Sequence, residues 1–353
     1  MSRADSALDV IAGLALAGAA AAVMVRPRHV SAIVRSPLVP AAARLTGGAA
    51  HGLARRLAPP RRARGKRKLA RLIRRYSPSQ AVTQTAGRRL NGGAAIMAFS
   101  VLADSAVEHY RGSFQNRAMY TPLIVATLTL GASLFGTADK RAASHPVRDR
   151  IYGVAAATGL AGLGFHAYNI MKRPGRLSWL NFFYAAPIGA PMALALAGLL
   201  GRGAELVRDT SRWGRPSLLG LPAGRVLAGV SAVGLAGTVG EAGLLHFRGA
   251  FQNPFMVAPV TIPPIAAAFL SAAAAFPGRV TKGLARRWLQ LTALLGFAGV
   301  GFHAYGVSRA MGGWRNWSQN VVDGPPLPAP PSFTGLALAG LAALSLIEEE
   351  RDG

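Results

Sequence analysis

Apolar residues in this chain do not alternate with polar ones. They run in long Ala-, Gly- and Leu-rich blocks separated by short polar segments. A helix needs about 20 mostly apolar residues to cross a bilayer, and nine blocks approach that length: 8–25, 92–110, 118–137, 151–171, 181–201, 226–247, 255–276, 288–308 and 332–347. The pattern predicts an all-α, polytopic membrane protein. The first block has the small-residue tail of a signal peptide, yet Asp5 and Asp9 precede it and Arg26-Pro27-Arg28 follows it. That charge order is the reverse of a cleavable leader's, so a retained helix is expected.

Charge settles the expected orientation. The net charge of +26 comes with only 15% charged residues and 51% hydrophobic ones, so it lies in the segments between the apolar blocks. Segment 26–89 holds 17 Lys/Arg and no acid; segments 138–150, 202–225 and 277–287 hold 4, 5 and 4, and Arg351 adds one, for 31 on one side. The other side carries eight in its loops, plus Arg3. The positive-inside rule then places the 31-residue side in the cytoplasm of a cell whose inner membrane holds the chain, with the N-terminus outside and the acidic tail 348–353 inside. The basic segment, from Arg55-Arg56 to Arg74-Arg75, reads as an anchor on anionic lipid rather than a nucleic-acid site, because Tyr76 alone interleaves it and no aromatic row is present to stack bases.

Two parts of the chain spell nearly the same words. His109-Tyr110-Arg111-Gly112-Ser113-Phe114-Gln115-Asn116 matches His246-Phe247-Arg248-Gly249-Ala250-Phe251-Gln252-Asn253, and Gly162-Leu163-Gly164-Phe165-His166-Ala167-Tyr168 matches Gly299-Val300-Gly301-Phe302-His303-Ala304-Tyr305, both at an offset of 137 residues. Asp104 and Glu241 share the register. An internal duplication follows: two parallel four-helix repeats, 90–202 and 226–347, joined by a cytoplasmic linker 203–225 and preceded by the helix 1–25 and the basic segment 26–89. After the second histidine helix the copies diverge. Lys172 to Asn181 is short, whereas Arg309 to Pro331 carries Trp314, Trp317 and a proline run, so this longer loop is expected to break the equivalence of the halves.

The duplicated words carry the candidate chemistry. His109, His166, His246 and His303 all fall near the external helix ends, and ionisable side chains inside spans are costly enough to ask for a reason. Small residues lie on the histidine faces one and two turns back: Gly162 and Gly159, Gly299 and Gly296, Ser105 and Ala106, Ala242 and Gly243. They clear a groove that accepts either a neighbouring helix or a flat cofactor held by two imidazoles, as b-type haem is held in four-helix membrane bundles. Pairing His109 with His166 and His246 with His303 gives two metal or haem sites; one site shared by both repeats fits nearly as well. Arg111 and Arg248 are placed to meet propionates, and Tyr168 and Tyr305 to order the imidazoles. Asp104 and Glu241, five residues before a histidine and about 140° around the helix from it, are candidate proton carriers. Glu108 is discounted, because its duplicate is Leu245.

Much else is excluded. With no cysteine there are no disulfides, thiolate metal sites, iron–sulfur clusters or covalently attached c-type haem. Glu-x-x-His, His-Glu-x-x-His, Gly-x-Ser-x-Gly and Walker motifs are missing, which removes the di-iron, zincin, hydrolase and ATPase readings. The expected function is a membrane redox subunit relaying electrons from a periplasmic donor or quinol. Its rivals are a proton-coupled transporter, and a scaffold docking a periplasmic partner through 309–331.

Overall fold

The computed structural model describes residues 80–184, 187–209 and 216–352. The expected helix 8–25 and nearly all of the basic segment lie outside the described residues. What is described is all-helical: α1 (Gln80–Arg111), α2 (Thr121–Ala138), α3 (Pro146–Met171), α4 (Trp179–Tyr184), α5 (Gly189–Arg208), α6 (Ala223–Arg248), α7 (Ala258–Ala275), α8 (Arg279–Arg309), α9 (Trp317–Val322) and α10 (Pro331–Asp352). A two-residue antiparallel ladder, β1 (Ser217–Leu218) with β2 (Leu221–Pro222), precedes α6.

Seven of these helices, some with the short 3-10 turn that leads into them, are long and apolar enough to cross a membrane. They are α1, α2, α5, α6, α7, α8 and α10. Helix α3 is long enough at 26 residues, but Gly153, Gly159, Gly162, Gly164 and His166 dilute its apolar content. The outward surfaces suit lipid: Leu128, Val233, Leu294 and Phe297, for example, are large, apolar and exposed.

Helices α1, α2, α3 and α5 pack in a ring, each touching the next, and so do α6, α7, α8 and α10. The rings meet where α1 packs on α10 and α5 on α6. At the first of these crossings Gly93 and Gly335 stand backbone to backbone: a Cβ on Gly93 would strike the Gly335 carbonyl, and one on Gly335 would come within 2.9 Å of the Gly93 carbonyl. Small residues are how helices approach closely where lipid removes the hydrophobic drive. The main apolar core fills this junction, with Leu90, Met97, Leu200, Leu227, Leu235 and Leu336 fully buried.

Element edges differ from the hydropathy reading where polar contacts override it. Helix α1 is already helical at Gln80, the first described residue, well before the apolar run at 92, and Arg88 in this stretch donates to the Thr137 carbonyl at 2.7 Å. The block expected as one span at 181–201 is two pieces. Residues 179–184 form the short α4, and the crossing helix α5 starts at Gly189, beyond Pro187. A proline lacks the N–H that would continue the helix, so the chain restarts after it.

The end of the first ring opposite the histidines holds a buried charge network that hydropathy did not indicate. Arg148 makes two bonds to Glu205, both at 2.9 Å, and one to Asp139 at 2.8 Å; Glu205 also accepts the His145 N–H at 2.7 Å. Arg208 donates to the carbonyls of Asp139, Arg141 and Gly136. In the second ring an apolar cluster of Ala273, Ala285 and Leu344 is buried, with Ile347 beside Gly224 as Arg208 lies beside Gly87.

Candidate functional site

Helices α1 and α6 end in one and the same turn. Ser113 and Phe114 take φ of 55° and 45°, and Ala250 and Phe251 take 55° and 46°. These are left-handed conformations that side chains rarely adopt. They are held by Phe114 N–H donating to the His109 carbonyl and Phe251 N–H to the His246 carbonyl, each at 3.0 Å. The Asn116 and Asn253 side chains then cap the 3-10 turns that follow, accepting from Ala118 and Phe255. The polar residues of the duplicated words therefore build the turn.

The turn brings a backbone carbonyl to each helix-end imidazole. His109 Nδ1 lies 2.6 Å from the Met119 carbonyl and His246 Nδ1 2.8 Å from that of Met256. The other two histidines do the same with the segments entering the fourth helices: His303 Nδ1 is 2.7 Å from the Pro326 carbonyl, and His166 Nδ1 bonds that of Pro187. A carbonyl only accepts, so all four imidazoles carry a proton on Nδ1, which in the neutral ring leaves Nε2 as the free nitrogen. His246 and His303 stand with ring centroids 6.5 Å apart and planes at 70°, and His109 is within electrostatic reach of His166. All four are half-buried.

The grooves behind the histidines have an occupant. Cβ atoms on Gly159 and Gly162 would strike Pro191 and Ala195 of α5; on Gly296 and Gly299 they would strike Pro330 and Thr334 at the start of α10. Of the two occupants the sequence allowed, the neighbouring helix is the one present. Behind His246, the space at Gly243 borders Val260 at 3.4 Å, and Ser105 behind His109 is buried.

The arginines face protein partners. Arg111 bonds the discounted Glu108 at 2.8 Å and lies 3.8 Å from Asp323, beyond α9. Arg248 stacks over the ring of Tyr184, 5.1 Å from its centroid, and Phe247 packs against Phe183 at 5.8 Å. Each thus reaches the loop of the other ring. Those loops are more alike than their lengths suggest: Asn181 ties the Pro174 and Arg176 carbonyls, and Asn320 ties those of Met311 and Gly313. The divergence expected after the second histidine helix is confined to side chains and two extra residues. Tyr168 and Tyr305 are 55% and 62% exposed, as aromatic residues of an interfacial belt are.

Asp104 and Glu241 meet at the junction of the rings. Glu241 fills the space beside Gly189 and its carboxylate takes the backbone N–H there, at the start of α5; Asp104 is within electrostatic reach of it and of Glu108. Sequence reasoning missed Glu108, Asp323, Tyr184 and all four carbonyl partners. The carbonyls leave no signature in residue identity, and the loop residues are brought in from the other half of the chain.

Among the described residues no group of three or more His, Asp or Glu side chains is arranged to hold a metal ion. Neither protein-family models, nor curated proteins, nor solved structures show a match to this chain.

Proposed function

We propose that the protein is an integral membrane redox subunit built from two parallel repeats, α1–α5 and α6–α10, each presenting a histidine pair near the external face for a b-type haem or another metal centre. The observation that carries this reading is the shared state of the four imidazoles. Each has its Nδ1–H tied to a carbonyl, which fixes ring orientation and raises the basicity of Nε2, the arrangement metal-ligating histidines use. His246 and His303 stand with ring centroids 6.5 Å apart, near enough for both to reach one bound group. Two imidazoles per site, with no group of three or more His, Asp or Glu ligands among the described residues, would suit a group that brings further ligands of its own, as haem does. Haem would supply one-electron chemistry. His109 with His166 and His246 with His303 would hold it, and Arg248, which lacks a carboxylate partner among the described contacts, is better placed to meet a propionate than the doubly compensated Arg111.

In this reading the repeats lie in a bacterial inner membrane, with the histidine end facing the periplasm, the charged layer facing the cytoplasm, and a periplasmic or membrane-borne donor supplying electrons. The recurrence of the turns, the carbonyl clamps and the asparagine ties in both halves supports the repeat. Iron and extractable haem measured on protein purified from haem-replete cells test it: two per chain are expected, one per chain points to a shared site, and none together with no other transition metal ends it. A transporter reading draws on the Asp104–Glu241 meeting at the junction. It expects no chromophore, and proton-coupled flux that Glu241→Gln abolishes.

A further inference from the structure

The two histidine mouths are not alike, and the difference lies in a few side chains. Beside His246 the mouth is plugged: Phe183 packs on Phe247, and Tyr184 lies under the Arg248 guanidinium. The residues 139 positions on, in the register that aligns Pro187 with Pro326, are Val322 and Asp323. There the mouth is open. A surface depression of about 610 Å³, beside His109 but not lined by it, is bounded by Val322 and Asp323 on one side and by Tyr110, Arg111, Ser113, Phe114 and Tyr120 on the other. In the plugged mouth Ala250 and Val257 stand where the open one has Ser113 and Tyr120. With Tyr110 against Phe247 as well, the open mouth has three hydroxyls, a carboxylate and three rings where the other has one hydroxyl, no carboxylate and four rings.

We propose that this cavity binds the head group of a quinone or quinol, one per chain. Phe114 and Tyr120 stack at 4.4 Å and present aromatic surface to a planar ring, while Arg111, Ser113, Tyr120 and Asp323 offer donors and acceptors to ring oxygens. The charge balance favours a neutral guest. Arg111 already has Glu108 at 2.8 Å and Asp323 at 3.8 Å, so its charge is largely offset, while its remaining N–H groups can still donate to a neutral oxygen. The volume falls within the range of small-molecule sites. Phe114 also stands edge-on to the His109 ring, 6.1 Å between centroids, so the guest would sit one aromatic layer from the first histidine pair. Its role as the electron donor's site rests on the redox reading above; the binding itself does not.

Calorimetric titration of the full-length protein in detergent with decyl-ubiquinone tests this, on samples of known iron content. One saturable site per chain is expected. Filling the open mouth as its twin is filled, with V322F/D323Y, should weaken binding at least tenfold, and Tyr120→Val, the residue the twin carries, should weaken it as well. Arg111→Gln, which leaves the rings in place, should weaken binding several-fold, and size-exclusion profiles identify any variant that fails to fold. No saturable binding to the wild type, equal binding by V322F/D323Y, or displacement by phosphatidylglycerol at matching concentration would overturn the proposal. Quinone binding to iron-free protein would leave the cavity assignment standing and remove the haem reading alone.

Discussion

Four imidazoles share one local device, the Nδ1 bond to a backbone carbonyl, and two halves of the chain build it independently. The histidines stood out in the sequence because the duplication repeated them. Their partners did not, since any residue at 119, 187, 256 or 326 supplies a carbonyl. The charged layer at the other end was equally hidden: Arg148, Glu205 and Arg208 read as loop-edge charges because a one-dimensional pattern does not show that three helices converge on them. Arg148→Ala should destabilise the protein by about 3–5 kcal/mol, because it leaves Glu205 buried without its guanidinium. Replacing the buried ion group together, with R148A/E205L/R208I, should cost less than Arg148→Ala alone, since apolar substitutes often match a buried ion network and Asp139 keeps Arg141; unfolding midpoints in detergent decide between them. Arg141 and Arg148 hold the Asp139 carboxyl well below the usual carboxylate range. That stabilisation is complete above about pH 4, the unfolded carboxyl's range, and is lost as pH falls towards the folded value. Asp139→Asn should therefore be less stable at neutral pH and show a shallower loss between pH 5 and pH 3.

Among the elements, the membrane-crossing stretches were legible because bilayer thickness imposes a length on them. Their ends were not, because caps, prolines and polar contacts set them. The span expected at 181–201 shows why: residues 179–184 belong to α4, and α5 starts at Gly189, beyond Pro187. Glycines on a single helix differ in the same way. Gly159 faces the α5 backbone, whereas a Cβ on Gly164 meets nothing within 4 Å. Gly159→Ala should cost about 1–3 kcal/mol through overpacking, while Gly164→Ala should be neutral or stabilising by up to about 1 kcal/mol through helix propensity. Matching losses at both positions, measured by thermal unfolding, would contradict the close α3–α5 packing.

For the whole molecule, the absence of cysteine makes orientation directly measurable. Single Lys140→Cys and Gln252→Cys variants, treated in intact cells with a membrane-impermeant maleimide, should label at position 252 and remain unlabelled at 140 until the cells are opened. The reverse pattern would invert the topology. The central claim is that histidine pairs hold a redox centre, and a visible spectrum of the purified protein before and after dithionite tests it most directly. The account predicts a Soret band that sharpens on reduction together with an α band, and a loss of about half of that signal in His303→Ala with the rest retained by His109 and His166. A colourless, iron- and copper-free preparation from haem-replete cells, or a spectrum unchanged by substituting all four histidines, would contradict it.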